Sequence, residues 1–191
     1  MFSIPFEVCE SIVIDGSLTE VFSKVSNFSE WKHWSPWLCQ NANASVSITG
    51  EKSEIGHQQV WDGEWIGSGE MKISYIHPSQ FIDYDLVFLK PWKSKAQARF
   101  EFLKTDQGIK VSWKLQSKLP IFLFFLKKMM IALIASDYTR GLVMLKQFVE
   151  KGEIAAETKV LGTQELPAFH FVGQRQACTC LLYTSPSPRD S

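Results

Sequence analysis

The chain has 191 residues, 20 basic against 20 acidic side chains, 45% hydrophobic residues and 13% aromatic ones. That much apolar surface excludes a disordered chain. A net charge of zero gives no general attraction to phosphate backbones, so no nucleic-acid partner is expected. The length fits one domain with at most a fragment of a second.

In chain order, residues 6–14 read as a strand whose apolar face carries Phe6, Val8, Ile12 and Ile14. Glu10 is in phase with them, and an unpaired buried carboxylate is costly. It is therefore expected to pair, to reach solvent at a pocket mouth, or to touch a ligand. Residues 18–25 form a short helix with Ser17 or Thr19 as N-cap, and residues 28–34 a second short turn that ends before Pro36. Strands follow at residues 46–49 and 58–61, with Asp62-Gly63 as a turn. Two more, at 69–76 and 80–89, flank His77-Pro78-Ser79, whose proline suits a turn. Residues 95–102 and 109–116 alternate apolar and polar around Thr105-Asp106-Gln107-Gly108, which makes an antiparallel hairpin.

The most apolar run, residues 119–135, is too short to span a bilayer and carries Lys127 and Lys128 at its centre, so no transmembrane segment is expected. A long helix begins after Leu119-Pro120 and ends near Lys151-Gly152. Ile131, Ile134, Tyr138, Leu142, Leu145 and Val149 form its apolar stripe, and the bulky stretch 121–126 is a separate turn or a kink. The fold class is thus α+β: a curved antiparallel sheet of about seven strands wrapped around a long C-terminal helix, with two short helices after the first strand. One helix cannot fill a strongly curved sheet, so an apolar pocket between them is the expected ligand site.

The element order, with Trp34-Ser35-Pro36-Trp37, Trp61-Asp62-Gly63, Gly67-Ser68-Gly69-Glu70-Met71, Lys90-Pro91-Trp92, Val111-Ser112-Trp113 and Asp137-Tyr138-Thr139-Arg140-Gly141-Leu142, resembles the START-like helix-grip superfamily. Within it the chain is similar to the bacterial SRPBCC group labelled polyketide cyclase/dehydrase. The resemblance covers roughly residues 5–151, implies a ligand-binding domain at 1–152 and carries over no assignable catalytic residue. After a linker at 153–165, residues 166–179 resemble the truncated start of a gyrase-inhibitor-like effector-binding domain. Residues 180–191 resemble translated sequencing-adapter read-through, which would make them a non-native, disordered tail.

Pocket candidates are Trp34, Trp37, Trp61, Tyr84, Phe88, Phe100, Trp113, Ile134 and Tyr138, with Glu10 and Glu70 as polar ones. Trp31, Trp34 and Trp37 read either as a lid over an apolar ligand or as core anchors beneath a loop. Asp62, Glu64 and Glu70 could supply acid and base groups, but fit a turn and solvent-facing positions better. His33, His57, His77 and His170 have no metal-ligand spacing, so neither metal nor cofactor is expected. Nothing in the spacing favours a nucleophile built from Cys9 or Cys39 with His33 or His57. Four cysteines without a paired motif, and an N-terminus without a signal-peptide pattern, suit a reducing cytoplasm. The expected partner is a small apolar or amphipathic ligand, bound without catalysis and serving sensing or regulation. The alternatives are a cyclase/dehydrase-type lyase using acid and base groups in the same pocket, and a groove for a peptide or protein.

Overall fold

The computed structural model describes residues 3–40 and 43–154. Apart from Glu153 and Ile154 at the start of the linker, the linker, the effector-domain fragment and the tail expected from the sequence therefore lie outside the described residues.

Seven strands form one antiparallel sheet: β1 (Ser3–Ile14), β2 (Ser45–Thr49), β3 (Gln58–Gly63), β4 (Gly67–His77), β5 (Phe81–Lys90), β6 (Ser94–Thr105) and β7 (Gly108–Pro120). From β2 to β7 each strand pairs with the next, and β1 closes on β7, giving the order β1-β7-β6-β5-β4-β3-β2. Register shifts at Ser68/Gly69 and at Ile73/Tyr75 interrupt the β4–β5 ladder. Such irregularities bend and twist a sheet locally, which helps it curl around a helix.

Between β1 and β2 lie α1 (Leu18–Ser26) and α2 (Phe28–Trp31). Ser17 caps α1 by accepting a hydrogen bond from the Glu20 amide. The Asn27 side chain caps α2 by accepting one from the Ser29 amide at 3.1 Å. Each cap satisfies an amide that the first helical turn cannot satisfy itself. After β7, residues Ile121–Leu126 form a 3-10 turn, and α3 (Lys127–Lys151) follows. The non-helical backbone of Leu123 breaks the helix there, which is the kink expected from the bulky stretch. The helix ends on Gly152 in the left-handed conformation, with φ of 76°.

One turn falls elsewhere than expected. Asp62 and Gly63 are not a turn: they extend β3 and pair with Ser68 and Gly67. The reversal lies in residues 64–66 instead. Gly67, at φ of 67°, supplies the left-handed backbone there, and a Cβ at that position would collide with the Lys90 carbonyl.

The pleat sends Phe6, Val8, Ile73, Tyr84, Phe100, Val111 and Trp113 to one face, where they are buried in a single core together with residues of α1, α2 and α3. The stripe expected on α3 divides into two parts. Tyr138, Leu142 and Leu145 are buried and Val149 beyond them is half-buried against the core, whereas Ile131 and Ile134, nearer the helix start, are half-buried, with Ile131 at the cleft. The helix is gripped along its C-terminal half and stands open along its N-terminal half.

Candidate ligand cleft

The difference between the two ends of the helix follows from side-chain size on the inner face of the sheet. At one end Tyr84, Phe100 and Trp113 face inward, each no more than 1% exposed. Trp31 and Trp34 drop onto them from α2 and the residues just after it. The Trp31–Trp34 and Phe100–Trp113 ring centroids are both 4.6 Å apart, and Trp113 stacks on Tyr138 at 3.9 Å. Polar atoms in this cluster are mostly satisfied by the backbone. The Trp31 indole donates to the Val25 carbonyl at 2.8 Å, the Tyr84 hydroxyl to the same carbonyl at 3.0 Å, and the Trp34 indole to the Lys24 carbonyl at 3.2 Å. Burial pushes the Tyr84 and Tyr138 hydroxyls well above the ordinary tyrosine value, so both stay protonated.

At the other end the inner face carries small side chains. Phe6 on β1 and Ala96 on β6 both pair with Ser117 on β7, and Ala96 in turn pairs with Leu86 on β5. Alanine and serine do not reach the helix above them. A cleft of about 1730 Å³ opens there, floored by Phe6, Leu86, Ala96, Ser117 and Leu119 and roofed by Leu123, Met130 and Ile131. It also takes in Glu7, Lys72, Asp85, Gln97 and Gln116, which alternate with the buried residues and so stand on the outer face of the same strands. The cleft therefore wraps around the end of the sheet, and its apolar inner part is smaller than the whole.

The residues singled out from the sequence separate accordingly. Trp34, Trp37, Tyr84, Phe100, Trp113 and Tyr138 come together in the aromatic cluster, not along the cleft. Trp61 and Phe88 meet edge to face at 6.1 Å, both half-buried, on β3 and β5. Ile134 is half-buried on α3. Glu10 lies opposite Trp113 on the inner face, half-buried at the filled end. Glu70 does line the cleft, where its carboxylate accepts a hydrogen bond from the Gln58 side chain at 2.9 Å. The small inward residues Ala96 and Ser117 were missed. Their signal was present, because alanine on the apolar face of a strand marks a place where the core is thin.

The remaining chemically active groups serve structure. His57 is buried: its Nε2 accepts from the Phe28 amide at 3.2 Å while its Nδ1 faces the Thr49 carbonyl at 3.1 Å, which fixes the neutral tautomer with its proton on Nδ1. His33 stacks on Phe148 and His77 on Phe81; His170 lies outside the described residues. Cys9 is exposed. Cys39 is buried, and burial pushes its thiol up to about 11 despite the nearby Arg140 charge, the opposite of an activated nucleophile.

No family model matches the chain, and no curated protein matches it in sequence. Solved structures do match in fold. The di-domain ARO/CYC StfQ from the steffimycin biosynthetic pathway gives a TM-score of 0.62 at 10% identity, over 78% of this chain and 52% of that one, so the chain spans about half its length. SA2116 from Staphylococcus aureus, a protein of unknown function, gives 0.61 at 12% identity over 78% and 96% of the two chains. Aha1 from Colwellia psychrerythraea, solved as a dimer, gives 0.56 at 17% identity over 77% and 98%. The architecture is the helix-grip fold. Likeness at these identities is likeness of fold alone.

Proposed function

We propose that the protein holds one small apolar or amphipathic molecule in the inner part of the cleft, between the small-residue end of the sheet and the start of α3. The observation that carries this reading is the step in side-chain size along the inner face, from Phe100 and Trp113 to Ala96 and Ser117, beneath a helix whose stripe continues as Ile131 and Ile134. An apolar stripe over an unfilled floor leaves surface that a ligand could cover. Burying about 300 Å² of such surface is worth on the order of 7 kcal/mol before the costs of immobilising the ligand.

Binding is favoured over catalysis by the polarity of the floor. The pleat turns Glu7, Glu70 and Asp85 to the outer side of their strands. On the inner face at the cleft the polar side chains are Ser94 and Ser117, neither of them a carboxylate or an imidazole, and the Ser117 hydroxyl already donates to the Lys95 carbonyl at 3.0 Å. A cyclase or dehydrase would need a proton-transferring group facing the ligand. The resemblance of residues 166–179 to an effector-binding domain adds sensing or regulation as the purpose of such binding.

Native mass spectrometry of the intact chain, purified without denaturant, tests the reading. The expected result is a non-covalent adduct that organic solvent releases, replaceable by an added fluorescent fatty acid. Ligand-free protein that also ignores fatty-acid and polycyclic aromatic probes would overturn it.

A further inference from the structure

The chain is neutral as a whole, but its charges are segregated. Between Asp85 and Glu101 stand Lys90, Lys93, Lys95 and Arg99 with no acid, and between Asp106 and Asp137 stand Lys110, Lys114, Lys118, Lys127 and Lys128 with no acid. Lys90, Arg99 and Lys114 are engaged by Asp62, Asp83 and Glu101. Lys93, Lys95, Lys118, Lys127 and Lys128 make no ion pair among the described residues, and all of these but Lys128 lie at the cleft.

The same region exposes an unusual amount of large apolar surface. None of the residues Ile121–Leu126 is buried. Phe122, Phe124 and Phe125 are 60%, 63% and 65% exposed, and Trp92, on the β5–β6 connection, is 60% exposed. Large rings left in water next to free lysines are costly in a protein that only has to dissolve, and they mark a surface that meets something. Phe122 and Trp92 also line the cleft, so its mouth opens within this patch. Aromatic rings flanked by unpaired lysines complement the boundary of an anionic bilayer, where rings enter the headgroup layer and ammonium groups meet lipid phosphates. No described helix is long and apolar enough to cross a membrane, so contact would be peripheral.

We propose that this face docks the protein on an anionic lipid surface, with Trp92 and the phenylalanines of Ile121–Leu126 entering the interface and Lys118, Lys127 and Lys128 held by the headgroups. The cleft then opens toward the bilayer. The carboxylates of Glu7, Glu70 and Asp85 lie on the far, outer-face side of the cleft. This docking is independent of whether the cleft holds a ligand.

Flotation of the intact chain with phosphatidylcholine vesicles, with and without phosphatidylglycerol, tests the proposal. Binding is expected on the anionic vesicles and not on the neutral ones, and it should fall as salt rises. Phe124→Ser with Phe125→Ser removes exposed rings that do not line the cleft, so the fold, checked by circular dichroism, should persist while binding falls roughly tenfold or more. Lys127→Gln with Lys128→Gln should weaken binding about 25-fold, at about fivefold per lysine. No flotation, equal binding to neutral vesicles, or unchanged binding by the folded phenylalanine variant would overturn the proposal. It would equally fall if that variant halved the sedimenting mass, making the face a contact with a second copy. It would fall too if the variant newly exposed residues 155–191 to protease, making the chain's own C-terminal segment the occupant. Failure here leaves the native-mass adduct untouched, so the two readings are tested separately.

Discussion

Trp113 of β7 and Tyr138 of α3 lie face to face, their ring centroids 3.9 Å apart and their planes 14° from parallel. This stack joins the sheet to the helix where the closed half of the molecule gives way to the open half. Tyr138→Ala would leave a void against an indole that is only 1% exposed. A loss of about 3–5 kcal/mol is expected, read as a fall in Tm of roughly 10 °C. Tyr138→Phe keeps the ring and should cost under about 1.5 kcal/mol. Equal Tm values for the two variants would mean that the stack does not hold the helix.

Gly141 sits one turn from Tyr138 on the side that faces the loop after α2. A Cβ there would lie 2.9 Å from both the Pro36 ring and the Trp113 ring. Alanine in a helix interior normally gains about 1 kcal/mol over glycine. Here overpacking against two rings should reverse the sign and cost about 1–3 kcal/mol. The Arg140 guanidinium, which donates to the Pro36 carbonyl at 3.0 Å, and the Trp37 indole, which donates to Asp137 at 3.2 Å, hold the same loop against the helix and limit its retreat. A urea midpoint for Gly141→Ala at or above that of the parent would show that the loop yields freely.

Much of this architecture was legible in the sequence because its signals are local. Strict alternation at Ile109, Val111, Trp113 and Leu115 fixes a strand whatever its neighbours, and the spacing of Tyr138, Leu142 and Leu145 fixes the buried side of a helix. The turn after β3 was misplaced because Asp-Gly is a strong local signal, whereas the constraint on Gly67 comes from the Lys90 carbonyl, more than twenty residues away in sequence. The cleft was less legible for the same reason. Large aromatic residues invite the reading of pocket walls, yet whether rings line a space or fill it depends on which strands bring them together. Trp31, Trp34, Phe100 and Trp113 converge from α2, the following turn, β6 and β7 and fill it. The hollow arises where Phe6, Ser117, Ala96 and Leu86 share a row, and that row exists only in the register of four strands.

If the small side chains of that row make the hollow, enlarging one should close it. Ala96→Trp would lay an indole on the floor beneath Leu123 and weaken binding of a fluorescent fatty acid roughly tenfold or more, the equivalent of about 1.4 kcal/mol of lost contact. Glu70→Gln removes the charge of the polar candidate that does line the cleft but keeps its acceptor for Gln58, so it should leave probe affinity within about twofold. The reverse ranking of these two variants, measured by titration, would place recognition on the carboxylate and not on the apolar floor.

The two described cysteines give a separate check on whether the buried groups near Arg140 are chemically inert. Burial raises the Cys39 thiol from 9.0 to about 11, with Arg140 opposing the shift, while Cys9 is exposed. At pH 8 only about one Cys39 in a thousand would be thiolate, the form that reacts with iodoacetamide. Peptide-resolved mass spectrometry should therefore find Cys9 alkylated and Cys39 intact at that pH, with Cys39 reacting in urea or as the pH approaches 11. The raised pKa has a stability consequence of the same sign. An unfolded thiol ionises first, so this site contributes fully to stability below about pH 9 and loses its contribution as the pH rises toward 11. Alkylation of Cys39 at pH 8 in the folded protein, at a rate matching Cys9, would refute the inert reading and restore it as a candidate nucleophile.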